Sequence, residues 1–261
     1  MSNFTVLAVG DVVGRAGCDY LSAGGRLRKM RDTLGADFVI VNGENSAKNN
    51  GITRETAELI YEAGADVITG GNHTFKQYNI GAYLDEKENV LRPANYPSDV
   101  PGCGYCVVPA SGKRVLVINL LGTTFMEPLD SPFKCAEHIL CTMRGKYDIS
   151  VIDFHAEATS EKLCLARYLD GRVGAVFGTH THVRTADAQV LPGGTGYITD
   201  VGMTGSENGV LGVKTECIIH KFTKRTPVFF EPAEGNASAG GAVFTFDGES
   251  GKCIGAESIS F

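Results

Sequence analysis

Six side chains able to bind a cation or carry a proton occupy equivalent places in the chain. Asp11, Glu44, Asn72, His155 and the pair His180 and His182 each follow a short apolar run that reads as a β-strand. Carboxylates and imidazoles together suit Mn, Fe or Zn; a magnesium site would carry more oxygen and fewer nitrogen ligands. Six protein ligands are more than one ion can use while keeping a position open for chemistry. Two ions about 3.5–4 Å apart that share one carboxylate would use them economically. Glu44, in the middle of the set, is the candidate bridge. His180-Thr-His182 has i, i+2 spacing, which in extended backbone puts both rings on one side.

Ligands in open α/β sheets gather beyond the carboxyl ends of strands, so elements that end together must position these residues. Strands are predicted at 4–9, 38–41, 67–69, 148–154 and 173–177, and helices at 18–34, 53–63 (with Thr53 as N-cap), 133–143 and 160–169. Runs 105–108 and 114–120 around Ala-Ser-Gly-Lys, and 189–191 and 197–199 around Pro-Gly-Gly-Thr-Gly, read as hairpins. The tail from Val228 to Phe261 reads as β-strands joined by Gly-rich turns. Strand–helix alternation in the first half implies parallel βαβ units, and the later hairpins imply an antiparallel extension. The expected fold is α/β, a four-layer α/β/β/α sandwich, built as one domain over residues 1–261.

Taken singly, each residue also has an ordinary reading. Asp11 could be an N-cap, Gly71-Asn72-His73 a turn, and His155 a hydrogen-bonded structural histidine. Arg15 could touch a substrate phosphate or pair with a surface carboxylate. Asp153 and Glu157 flank His155, and one could orient it from behind. His138 and His220 read as surface or packing residues. Cys103-Gly-Tyr-Cys106 reads as a turn with two free thiols, because no second pair completes a zinc site. The glycines at 10, 14 and 17 are spaced wrongly for a dinucleotide fingerprint, and no Gly-Lys-Ser/Thr follows.

The ordered set narrows these choices. Gly10-Asp11, Asn42-Gly43-Glu44-Asn45, Gly71-Asn72-His73, His155 and Gly178-Thr-His180-Thr-His182 resemble the five motif blocks of the calcineurin-like metallophosphoesterases, in the right order. Two departures, Asp11-Val-Val13 for Asp-x-His and Gly43-Glu44-Asn45 for Gly-Asp, are similar to the bacterial YmdB-like subgroup. So are Asp153-Phe-His155-Ala-Glu157 and Asp200-Val-Gly-Met-Thr-Gly205. The resemblance implies phosphodiesterase activity on 2′,3′-cyclic nucleotides or similar small phosphodiesters, by attack of a metal-bridging hydroxide. It implies one ion held by Asp11, Glu44 and His182, and a second by Glu44, Asn72, His155 and His180. Asn45 would fill the place left by the missing histidine. Two divalent or mixed-valence ions per chain are expected, with Fe or Mn favoured and Zn an alternative. His73, next to Asn72, is the candidate acid that protonates the leaving oxygen. The rival readings are a phosphomonoesterase or 5′-nucleotidase on the same site, and a regulatory protein that binds a cyclic nucleotide or an RNA end with little turnover.

The composition agrees with this class. Of 261 residues, 24 are basic and 30 acidic, a net charge of -6, which argues against a stable nucleic-acid complex. A small anionic substrate is still compatible if metal ions supply local positive charge. The first residues lack a basic segment followed by a long apolar run, and the apolar stretch 115–121 is too short to cross a bilayer, so a soluble cytoplasmic protein without a membrane partner is expected. Eight scattered cysteines are then expected as reduced thiols, and a homo-oligomer is compatible.

Overall fold

The structure, a computed structural model, describes residues 3–261. The strands are β1 (Phe4–Val9), β2 (Asp11–Val12), β3 (Phe38–Asn42), β4 (Val67–Thr69), β5 (Tyr105–Ala110), β6 (Lys113–Leu121), β7 (Ile149–His155), β8 (Ala175–Thr179), β9 (Gln189–Val190), β10 (Gly196–Ile198), β11 (Met203–Ser206), β12 (Ala237–Phe246) and β13 (Cys253–Ser260). The helices are α1 (Gly14–Ser22), α2 (Arg26–Leu34), α3 (Arg54–Ala63), α4 (Ile80–Glu86), α5 (Pro132–Thr142), α6 (Thr159–Tyr168) and α7 (Thr215–Lys224).

Two sheets form. The first runs β2-β11-β12-β1-β3-β4, with β13 beside β12; the second runs β5-β6-β7-β8-β10-β9. β1, β3 and β4 are parallel, as are β6, β7 and β8. Strands covered on both faces read as unbroken apolar runs, which is why alternation is absent from Val115–Ile118. Side chains still divide by parity. Val6, Ala8, Val115, Val117, Val151, Ala175 and Phe177 point between the sheets. Leu7 and Val9 meet the helices over the first sheet, among them α1 and α3, and Leu116, Ile118 and Leu120 meet those over the second, α5 and α6. The three apolar layers make the expected four-layer sandwich. Each fully buried Leu, Val or Phe contributes about 1.5–3 kcal/mol to it.

Several elements differ from the sequence reading. The predicted helix 18–34 is two helices, because Gly24 (φ 61°) and Gly25 (φ 67°) take left-handed backbone that ends one and restarts the other. Thr53 caps α3 as expected, its hydroxyl accepting the Thr56 amide. The tail is β only from Ala237; before it lies α7, none of whose residues is buried although Ile218, Ile219 and Phe222 form an apolar stripe along it. Helix α4 and the short strands β2 and β11 also escape the pattern. Among the described residues, no helix is long and apolar enough to cross a membrane.

Candidate metal centre

The candidate ligands and His73 meet at one end of the sandwich, and they come from both sheets. Asp11 opens β2, Glu44 and Asn45 follow β3, and Asn72 and His73 follow β4, all in the first sheet. His155 ends β7, and His180 and His182 follow β8, in the second. Asp11, Glu44 and His155 are fully buried.

The contacts centre on His155 and Glu44. His155 Nε2 lies 3.0 Å from Asn72 Oδ1, 3.1 Å from His180 Nδ1 and 3.4 Å from Glu44 Oε1. One ligand atom each from Glu44, His155 and His180 falls within 4.8 Å of the others. His182 Nε2 lies 3.7 Å from Asp11 Oδ1, and that oxygen is buried with no hydrogen-bond partner. A buried oxygen without a partner is costly unless a cation or water completes it. Gly71 leaves no room for a side chain: a Cβ there would sit 2.4 Å from His155 Nε2 and 2.5 Å from Glu44 Oε2. The donor set thus fits a cation site.

The imidazoles are oriented from behind. Thr179 Oγ1 donates to Asp153 Oδ1 at 2.7 Å, so it receives the Nδ1 proton of His155 at 2.9 Å. The lone pair of His155 is thereby aimed at the cluster through Nε2. Glu157 takes the outer Nε2 of His180 at 3.0 Å, and the Leu211 carbonyl takes Nδ1 of His182 at 3.3 Å, which aims Nδ1 of the one and Nε2 of the other inward. Both His180 (φ 92°) and His182 (φ 63°) are left-handed, which costs about 1–3 kcal/mol each. Asp200 holds them there: its Oδ2 accepts the Thr181 amide at 3.2 Å and hydroxyl at 2.7 Å, and buried Lys162 donates to the same oxygen at 2.7 Å. Asp200 stands in the sequence only as the start of the motif Asp200-Val-Gly-Met-Thr-Gly205, without a role, and Lys162 is not singled out at all; a lysine in a surface helix reads as solvated, and its partner lies 38 residues away.

The field within the cluster is negative. Burial alone would lower the His155 pKa, yet Glu44 and Asp11 raise it to about 9. Burial alone would raise Glu44, yet His155 and His73 hold it well below the usual carboxylate range. Burial and the charge on His155 push His180 down to about 4. The field that holds a proton on His155 would hold a divalent cation in its place.

His73 and Asn45 lie together. The Glu44 Oε1 and Asn45 Oδ1 oxygens face His73 Nδ1 at 3.1 and 3.0 Å, and Glu44 Oε2 accepts the His73 amide at 2.8 Å. Asn45 turns its amide nitrogen, not its oxygen, toward Glu44 (2.7 Å) and His182 (3.2 Å). Arg15 pairs with Asp19 and Glu55 on the surface, the bland alternative. The cysteines are free thiols among the described residues.

Comparison with known proteins adds to this geometry. The sequence profile of the YmdB-like protein family matches residues 7–259. Over 254 residues the chain is 45% identical to the 2′,3′-cyclic-nucleotide 2′-phosphodiesterase of Bacillus subtilis (strain 168), covering 97% of this chain and 96% of that protein. The crystal structure of a novel phosphatase from Mycoplasma pneumoniae superposes with a TM-score of 0.93 at 34% identity, over 100% of this chain and 94% of that one. A 5′-nucleotidase precursor from Thermus thermophilus shares the fold alone: TM-score 0.62, 14% identity, 100% of this chain and 54% of that one.

Proposed function

The chain belongs to the YmdB-like protein family, and from that membership we propose that it is a metal-dependent phosphodiesterase acting on 2′,3′-cyclic nucleotides or similar small phosphodiesters. One observation carries the reading: carboxylates of the first sheet and imidazoles of the second converge with their lone pairs turned inward, around a buried Asp11 oxygen that has no partner.

In this reading Asp11, Glu44 and His182 would hold one ion, and Glu44, Asn72, His155 and His180 a second. Iron or manganese suits the mixed oxygen and nitrogen set, with zinc as an alternative. Bound dications supply positive charge for the phosphoryl oxygens and acidify water. Asn45 acts as the link that aligns Glu44, His182 and His73. The ligand role that the motif resemblance implies for Asn45 would require its amide to turn over.

His73 is the proton donor. Its Nδ1 hydrogen is spent on Glu44 and Asn45, so Nε2 is the atom left for the substrate. As water oxygen bonds to phosphorus, releasing one proton to solvent, and the P–O2′ bond breaks, His73 Nε2–H gives its proton to the departing oxygen and is reprotonated from solvent before the next turnover. A nucleoside 3′-phosphate results. The whole of residues 1–261 is taken as one working unit.

Elemental analysis of the purified protein, with turnover measured on 2′,3′-cyclic nucleotides and on 5′-monophosphates, tests this. About two ions per chain, lost to a chelator together with diester hydrolysis, are expected. Preferred turnover of monoesters would favour the phosphatase alternative, and binding without turnover the regulatory one.

A further inference from the structure

We propose that Phe125 is the platform on which the base of the nucleotide substrate stacks, an inference that rests on the phosphodiesterase reading above. The loop 122–130 leaves β6 beside the site: Leu121 pairs with His155 across the ladder, and the Gly122 amide donates to the His155 carbonyl at 2.9 Å. The loop is fastened at both ends. Asn95 Nδ2 donates to the carbonyls of Leu121 and Asp130, each at 2.9 Å, and its Oδ1 accepts the Leu121 amide at 2.9 Å. Glu161 of α6, itself buried, accepts the Thr123 amide at 3.0 Å, the Thr123 hydroxyl at 3.2 Å and the Thr124 amide at 3.2 Å.

Phe125 comes next. Its backbone is left-handed (φ 63°) and its side chain is 90% exposed. A bulky residue seldom takes that conformation, and a strained backbone persists only where its surroundings over-determine it. Here the fastened loop does so, and the result is an apolar ring held toward solvent.

The same loop is joined to the His73 segment. Tyr96, next to Asn95, packs edge-on against Phe75 with ring centroids 5.4 Å apart, and Phe75 lies two residues beyond His73. A flat ring on a pre-ordered loop beside a phosphoryl site suits a nucleobase, because stacking needs only a π-face and little ordering on binding. A ring without hydrogen-bonding groups favours bases over no base but scarcely distinguishes among them.

The test compares two cyclic phosphates, 2′,3′-cyclic AMP and glycerol 1,2-cyclic phosphate, which lacks a base. In Phe125→Ala the ratio of kcat/KM for the first over the second is expected to fall about tenfold, through KM, and Phe125→Trp to restore it. A ratio unchanged in Phe125→Ala overturns the stacking role. Should the wild-type protein turn over neither compound, the phosphodiesterase reading fails by itself. Calorimetric titration with adenosine 3′-phosphate then judges Phe125: a Kd about tenfold weaker in Phe125→Ala upholds stacking, and an equal Kd overturns it.

Discussion

The Asn42 amide of β3 donates to the Asp153 carboxylate of β7 at 2.9 Å, a hydrogen bond that crosses from one sheet to the other directly behind the site. Thr69 of β4 and Thr179 of β8 donate to the same carboxylate. Asp153 thus collects three donors from both sheets and, through Thr179, orients His155. In Asp153→Asn one acceptor oxygen becomes a donor facing other donors. A loss of about 1–3 kcal/mol is expected in urea unfolding, together with fewer ions per chain by elemental analysis.

Lys162 and Asp200 form a pair in which both side chains are buried. Removing the lysine leaves an uncompensated carboxylate beneath Thr181. Lys162→Met is expected to cost about 3–5 kcal/mol, and Lys162→Met with Asp200→Asn to cost less than Lys162→Met alone, both read from denaturant midpoints.

If His73 is the acid, the effect of removing it depends on the leaving group. His73→Ala should keep its ions but lose about 10²–10⁴ in kcat on a cyclic nucleotide, whose alkoxide needs a proton. The loss should be much smaller on bis-p-nitrophenyl phosphate, whose phenolate departs without one. Equal losses on both substrates would remove His73 from that role.

Gly71 tests the centre by volume alone. Gly71→Ala drives a methyl into His155 and Glu44. The protein should keep its far-ultraviolet circular dichroism and lose most bound metal.

A pH effect follows from Asp148 at the far end of the sandwich. Arg114 holds its carboxyl down to about 2, with Arg114 Nη2 at 2.9 Å from Asp148 Oδ1. A depressed folded-state pKa stabilises above the unfolded value of about 3.9 and is lost as pH falls toward 2. The pair is partly exposed, so the effect is modest. Asp148→Asn should lower Tm at pH 7, and the gap to wild type should close between pH 4 and 2.

Much of the site was legible because its residues stand at strand ends, where apolar runs stop abruptly at Asp11, Asn42-Gly43-Glu44 and His180-Thr-His182. The sandwich was legible because β1, β3, β6 and β7 are apolar on both faces. What was not legible depends on partners far away in the chain. Lys162 looks solvated until Asp200 is placed under it. Asp153 could be named as a neighbour of His155, but its three donors come from strands that only the fold brings together. The apolar stripe of α7 runs along a helix only ten residues long, and the Gly24-Gly25 pair, itself a turn signal, is outweighed by the helical period on either side of it.

The strand that carries Asp11 has a further consequence. β2 pairs with β11 at Met203, and β11 leans on β12, which closes against β1. All the proposed ligands are therefore encoded by residue 182, but the strands that flank Asp11 in its sheet are complete only at residue 246. On the ligand assignment proposed above, a chain truncated before β12 is expected to hold fewer ions than the full chain, as elemental analysis would read.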